Sequence, residues 1–101
     1  MTTKITVMYE TPHDPDAFEA RYNDQMALAA SIPRLQRVET HRVWPTGRTR
    51  PALAYRLLEL FFEDPQAARD AVGSREAGGF LPSLLELGAD GVHIVYHDEE
   101  P

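Results

Sequence analysis

Apolar and polar residues alternate over residues 3–10, TKITVMYE, with Ile5, Val7 and Tyr9 on one face and Lys4, Thr6 and Met8 on the other. A period of two predicts a half-buried first strand. Thr11-Pro12-His13-Asp14-Pro15 ends it, because two prolines cannot continue a ladder. Asp14 then supplies an N-cap and Pro15 the first helical position. Spacings of three and four follow, through Phe18, Tyr22 or Arg21, Gln25 or Met26, and Ala29. They predict a helix from about 15 to 30, with Phe18, Tyr22, Met26 and Ala29 near one stripe. Ser31-Ile32-Pro33 stops it, since the residue before a proline is pushed out of the α region.

Residues 35–44, LQRVETHRVW, carry apolar groups at 35, 38, 43 and 44. The broken alternation predicts a strand that bends or bulges. Residues 45–51, PTGRTRP, read as a loop. Residues 53–63, LAYRLLELFFE, could form a helix given their leucines. A strand is preferred, paired back on 35–44, with Tyr55, Leu57, Glu59 and Phe61 sharing one face. Asp64-Pro65 repeats the helix start and opens a second helix to about Val72, weakened at Gly73-Ser74. A short helical stretch over about 76–87 carries Leu81, Leu84, Leu85 and Leu87, limited by Gly78-Gly79 and Pro82. Gly88 to Gly91 is a turn, 92–97 a last alternating strand, and the acidic Asp98–Pro101 a frayed tail.

The order is β-α-β-β-α-β, the ferredoxin-like α+β arrangement: a four-stranded antiparallel sheet with its helices on one face. Alternation puts apolar residues on both faces, with Ile5, Val7, Tyr9, Leu58, Leu60 and Phe62 against Met8, Leu57 and Phe61. Such a sheet needs a second cover, and a second copy laid face to face by a two-fold axis is the simplest. The expectation is a homodimer enclosing a barrel-like core, a dimeric α+β barrel.

Composition narrows this picture. A chain of 101 residues is a single domain, 1–101, and 43% hydrophobic with 26% charged residues is ordinary globular composition. The absence of cysteine excludes disulfides, thiolate metal sites and a cysteine nucleophile, and suits a reducing, cytoplasmic setting. No apolar run approaches the roughly 20 residues of a membrane span, and the N-terminus is not a signal peptide. A net charge of −6 argues against nucleic acid as a partner. Residues 34–56 nonetheless hold six arginines and one acid, Glu39. They read as solvated strand edges and a loop, or as a basic rim for an anionic ligand or acidic partner.

The opening KITVMYETPHDPDAFEARY, the helix end LAASIPRLQRVE, the paired strands, Phe62-Glu63-Asp64 and the glycine-led last strand together resemble the EthD family of the dimeric α+β barrel superfamily. That family takes its name from a bacterial ether-degradation pathway. Its first helix commonly reads tyrosine, two or three residues, histidine, then Pro-Leu-Ala and an Ile/Leu-Pro-Gly-Leu break. Here the stretch is YNDQMALAASIPRL: Gln25 stands at the histidine position, Ala27 replaces the proline, Arg34 replaces the glycine, and Leu28 and Ala29 match. The resemblance implies cofactor-free chemistry or binding of a small, fairly apolar, oxygenated organic molecule between the sheet and the first helix.

The candidate catalytic residues are His41, Tyr22 and Gln25; the candidate ligand-binding residues are Tyr9, Trp44, Met26 and Tyr55. Gln25 cannot exchange a proton near neutral pH, unlike histidine. It either hydrogen-bonds a ligand or is a half-exposed helix residue. His41 is the best replacement acid–base group if it points between sheet and helices. Trp44, beside the arginine-rich loop, is a lid over a pocket mouth or an anchor at the dimer seam. His13 reads as solvent-exposed. His93 and His97 are four apart on a strand, so about 13 Å separates them. That is too far for one ion, and no histidine–carboxylate spacing resembles a zinc site, so no metal is expected. No phosphate loop, nucleophile elbow or dinucleotide fingerprint occurs. Two classes of function stay open: a cofactor-independent enzyme in a degradation or biosynthetic pathway, and a non-catalytic accessory or binding protein of the same fold.

Overall fold

The computed structural model describes residues 2–45 and 53–100. Its elements are β1 (Thr3–Tyr9), α1 (Pro15–Ala29), β2 (Arg37–Arg42), β3 (Arg56–Phe62), α2 (Pro65–Val72), α3 (Arg75–Leu87) and β4 (Val92–Asp98). The strands form one antiparallel sheet in the order β2-β3-β1-β4. This is the ferredoxin-like topology that the element order predicts. The loop expected at 45–51 lies, apart from Pro45, outside the described residues, as do Arg48 and Arg50 of the basic stretch.

The helix starts are where the Asp-Pro pairs put them. The Asp14 carboxylate accepts from Ala17 N at 3.2 Å, and the Asp64 carboxylate accepts from Ala67 N at 2.8 Å. Each satisfies a backbone donor that the first helical turn leaves open. α3 begins one residue earlier than expected, on a Ser74 cap, and runs through Gly78, Gly79 and Pro82 without a break. The final segment between β3 and β4 is therefore two helices.

Strand register sorts the side chains into two layers. Ile5, Val7, Tyr9, Leu58, Leu60 and Phe62 point to the helices and join Phe18, Tyr22, Ala71, Phe80 and Leu84 in one core. The void left between sheet, α2 and α3 is only about 20 Å³, barely room for one water. Three expectations need correction. Tyr55 precedes β3 and turns to α1, where its hydroxyl meets Glu19, so it does not share a face with Leu57, Glu59 and Phe61. β2 is shorter than 35–44, because Arg34 takes a left-handed φ of 65° and leaves Leu35 outside the ladder. The tail is tied down further than expected: Asp98 pairs with Thr3 in β4, and Glu99 N donates to Thr2 O at 2.8 Å.

The outer face is also less apolar than the pattern suggests. Met8, Leu57, Phe61 and Val95 share it with Lys4, Thr6, Arg37, Glu39, His41, Glu59, His93 and His97. Phe61 is only 3% exposed, because Lys4 Nζ and the Arg37 guanidinium lie 5.0 and 4.1 Å from its ring centre. Amphipathic stems cover this ring within a single chain.

Arg34 occupies a backbone conformation that costs a non-glycine residue roughly 1–2 kcal/mol. Its exposed ion pair with Asp70 offsets little of that. Arg34→Gly is expected to stabilise the fold by about 0.5–1 kcal/mol in urea unfolding, after allowing for glycine's chain entropy. Arg34→Val is expected to destabilise it by at least as much, because a β-branched side chain fits this region worst.

Candidate functional site

On α1, residues Phe18, Tyr22, Gln25 and Ala29 form the buried stripe. At about 100° per residue, Gln25 falls roughly 40° from the centre set by Phe18, Tyr22 and Ala29, and Met26 roughly 60° on the other side. The polar residue therefore takes the inward place. Gln25 is 2% exposed, contrary to its reading as a half-exposed residue, and Met26 packs only at the core's edge.

Gln25 meets Tyr9 from β1. The Tyr9 hydroxyl donates to Gln25 Oε1 at 2.6 Å in a buried setting. Around this bond the rings of Tyr9, Phe18 and Tyr22 pack at centroid distances of 5.3, 6.1 and 5.7 Å, and Tyr55 closes on Phe18 at 5.4 Å. The space expected to be a cavity beneath α1 is thus filled by aromatic rings. Two buried polar atoms here make no well-formed hydrogen bond among the described residues: Gln25 Nε2, and Tyr22 Oη, which has Thr40 beside it. Each such atom costs about 1–3 kcal/mol, so a ligand that meets one regains that cost. A cleft of about 140 Å³ between α1 and α3 reaches Gln25, with Leu28 and Leu87 also in its lining. The Arg21–Glu86 ion pair spans its two helices.

At the other end of the stripe, Glu19 gathers three partners. Arg56 Nη2 donates to it at 2.7 Å, the Tyr55 hydroxyl at 2.8 Å and Arg42 Nη2 at 3.1 Å. Arg56 also lies 4.6 Å from the Tyr22 ring centre. Burial pushes the Glu19 carboxyl up, but the hydrogen bonds from Arg56 and Tyr55 and the charges of Arg56 and Arg42 outweigh it and hold the group below the usual carboxylate range. Burial raises both Tyr9 and Tyr22. Their hydroxyls stay protonated near neutral pH and serve as hydrogen-bond groups, not as bases.

The cluster gathers Tyr9, Tyr22, Gln25 and, at its rim, Tyr55. His41 does not join it. In the register β2 presents Thr40 and Arg42 on the helix side, so His41 falls opposite Leu57 on the outer face, 3.3 Å from Glu39. Trp44 is 83% exposed and stands outside the buried cluster. His93 reaches Glu10 and His97 reaches Thr6, also away from α1. A larger open groove of about 540 Å³ follows the β4 edge beside α2, but its Thr3 and Asp98 are already bonded to each other. Among the described residues no helix is long and apolar enough to cross a membrane.

Sequence reasoning missed one grouping. Glu39, His41 and Glu59 bring ligand-capable atoms within 4.8 Å of one another. The available signal was Glu-x-His on a strand, since residues two apart share a face; the third member comes from the β2–β3 register.

Two outcomes test the buried network. Tyr9→Phe strands Gln25 Oε1 and is expected to cost about 1–3 kcal/mol by urea denaturation, whereas Tyr9→Phe with Gln25→Leu should recover much of that loss. Glu19 is depressed in the fold, so its stabilisation is present above its unfolded-state value, about 4.3. That stabilisation is lost as pH falls through the lower folded value. Glu19→Gln should therefore flatten the fall in thermal midpoint seen below about pH 5.

No protein-family model matches the chain. An uncharacterized 11.0 kDa protein from the thcB-thcC intergenic region of Rhodococcus erythropolis is 26% identical over 102 residues, spanning 96% of this chain and 94% of that protein. Among solved structures, an EthD family protein of Bacillus halodurans superposes with a TM-score of 0.90 at 21% identity, over 99% of this chain and 100% of that one. A dimeric ferredoxin-like protein of unknown function from Jannaschia sp. gives 0.72 at 19% identity, covering 98% and 100%. SnoaB, a cofactor-independent oxygenase of Streptomyces nogalater in a mutant form, gives 0.65 at 20%, covering 99% and 93%. The chain thus has the ferredoxin-like fold of an EthD family protein over nearly its whole length.

Proposed function

We propose that this chain is an EthD-like, cytoplasmic homodimer that binds a small, fairly apolar, oxygenated organic molecule at the α1–α3 cleft. The observation that carries the reading is Gln25. Among the described residues its side-chain nitrogen is buried without a partner, at a residue that lines the cleft. A carbonyl or ether oxygen is the natural acceptor for that donor. The scale of the cleft suits a ring-sized ligand, since a cavity of about 150 Å³ accommodates benzene. The fold shared with a cofactor-independent oxygenase agrees with an organic ligand handled without a bound cofactor. A second copy on the outer face is supported by dimeric proteins of this fold.

A non-catalytic holding or accessory role is favoured by one specific observation. The buried group in the cleft's lining is the Gln25 amide, bonded to a Tyr9 hydroxyl that burial keeps protonated; Arg21, Asp24, Ser83 and Glu86 are the other polar lining residues, and the histidines of the outer face lie away from it. Ligand would be gripped by hydrogen bonds and not turned over by proton transfer.

Cyclohexanone and methylenecyclohexane, nearly isosteric and differing in the oxygen, make the test. Cyclohexanone is expected to shift amide resonances of α1 and α3 in a saturable way. Methylenecyclohexane should bind at least about tenfold more weakly, and Gln25→Ala should erase the difference. Equal binding of the two, or shifts confined to the β4 groove, would exclude the cleft. The dimer is checked by solution mass: twice 11.4 kDa is expected, and a monomer at high micromolar concentration would refute it.

A further inference from the structure

The outer face carries a feature that the α1–α3 cleft does not use. Glu39 of β2 and Glu59 of β3 are direct cross-strand neighbours. Like charges placed so are destabilising. Glu59 is half-buried, and among the described residues no cation pairs with it. Glu39 is better served, and its two oxygens are divided. Arg37 Nη2 holds Oε2 at 3.0 Å, while Oε1 faces His41 Nε2 at 3.3 Å.

That division matches a metal site. Two ligand atoms each about 2.1 Å from a tetrahedral ion stand roughly 3.4 Å apart. Glu39 Oε1 and His41 Nε2 are already at this separation. The Glu59 carboxylate lies within 4.8 Å of both, so a modest side-chain rotation completes a three-ligand set. Arg37, held over the Phe61 ring, acts as an outer partner that fixes the glutamate's orientation.

We propose that Glu39, His41 and Glu59 form a site for a divalent first-row transition cation, with Zn²⁺ the fitting probe. The imidazole selects such ions over Mg²⁺, which keeps an all-oxygen octahedral shell. The cation relieves the repulsion between the two facing carboxylates and supplies a counter-charge to Glu59, with which no cation among the described residues pairs. Three protein ligands leave a position open to water or to a group on whatever covers this face. The site shares no residue with the cleft, so the failure of either reading leaves the other standing.

Calorimetric titration of the full chain with Zn²⁺ is expected to give saturable binding, and equimolar Mg²⁺ none. Co²⁺ is expected to give visible absorption bands and to broaden amide resonances of β2 and β3 around Glu39, His41 and Glu59. His41→Ala and Glu59→Gln should each weaken Zn²⁺ binding by more than the roughly 10–100-fold that loss of an outer partner costs. His93→Ala, on the same face beyond the triad, should leave it unchanged. Absence of saturable Zn²⁺ binding, broadening centred on His93 or His97, or equal weakening by His93→Ala would each overturn the proposal. Because the broadening is read on the unmodified chain, it decides the matter even if a variant fails to fold.

Discussion

The packing of one stripe of α1 against the helix-facing side of β1 and β3 is the contact on which this structure depends. Phe18, Tyr22, Gln25 and Ala29 meet Tyr9 and the residues beside it, and most of what α1 contributes to the core passes through them. Aromatic rings bury large areas and prefer edge-on contacts. The edge-on pairs Tyr9–Phe18 and Tyr9–Tyr22 hold the strand and helix at one fixed spacing. Arg56 and Tyr55 then tie the start of β3 to Glu19 on the same helix. The site and the fold are therefore one set of contacts.

This arrangement explains why a polar residue can sit inside. Gln25 is tolerated because Tyr9 satisfies its oxygen, and its nitrogen is left for something else. A buried polar group that is half satisfied is expensive in a dry interior. In an otherwise filled core, that atom marks where a ligand has the most to gain. The same burial that makes the position costly also keeps the tyrosine hydroxyls protonated, which turns the cluster toward gripping an oxygen.

The sheet separates two kinds of chemistry. Its inner face is mostly apolar, and the void between sheet, α2 and α3 is near the size of one water. Its outer face is mixed: histidines and carboxylates alternate with a few apolar residues, and the Phe61 ring is roofed by Lys4 and Arg37. A purely hydrophobic drive for a second sheet is weaker here than alternation alone implies. An assembly on this face would rely on charged and hydrogen-bonding groups as well as on Met8, Leu57 and Val95.

Local rules carried the elements. Alternation at 3–10, the two Asp-Pro starts and the Ile-Pro stop are properties of a few neighbouring residues, so strands, helix starts and their order were readable in the chain. So was the ferredoxin-like topology, because it follows from that order. What local rules left open were choices that differ by one position. Whether Gln25 or Met26 faces inward, and whether Thr40 or His41 does, turns on small rotations of a helix and on the register of a strand. Both are set by distant partners: the rings beneath α1 in the first case, and the pairing of β2 with β3 in the second. The meeting of Glu59 with Glu39 and His41, like the partnerless nitrogen of Gln25, exists only once strands far apart in sequence lie side by side.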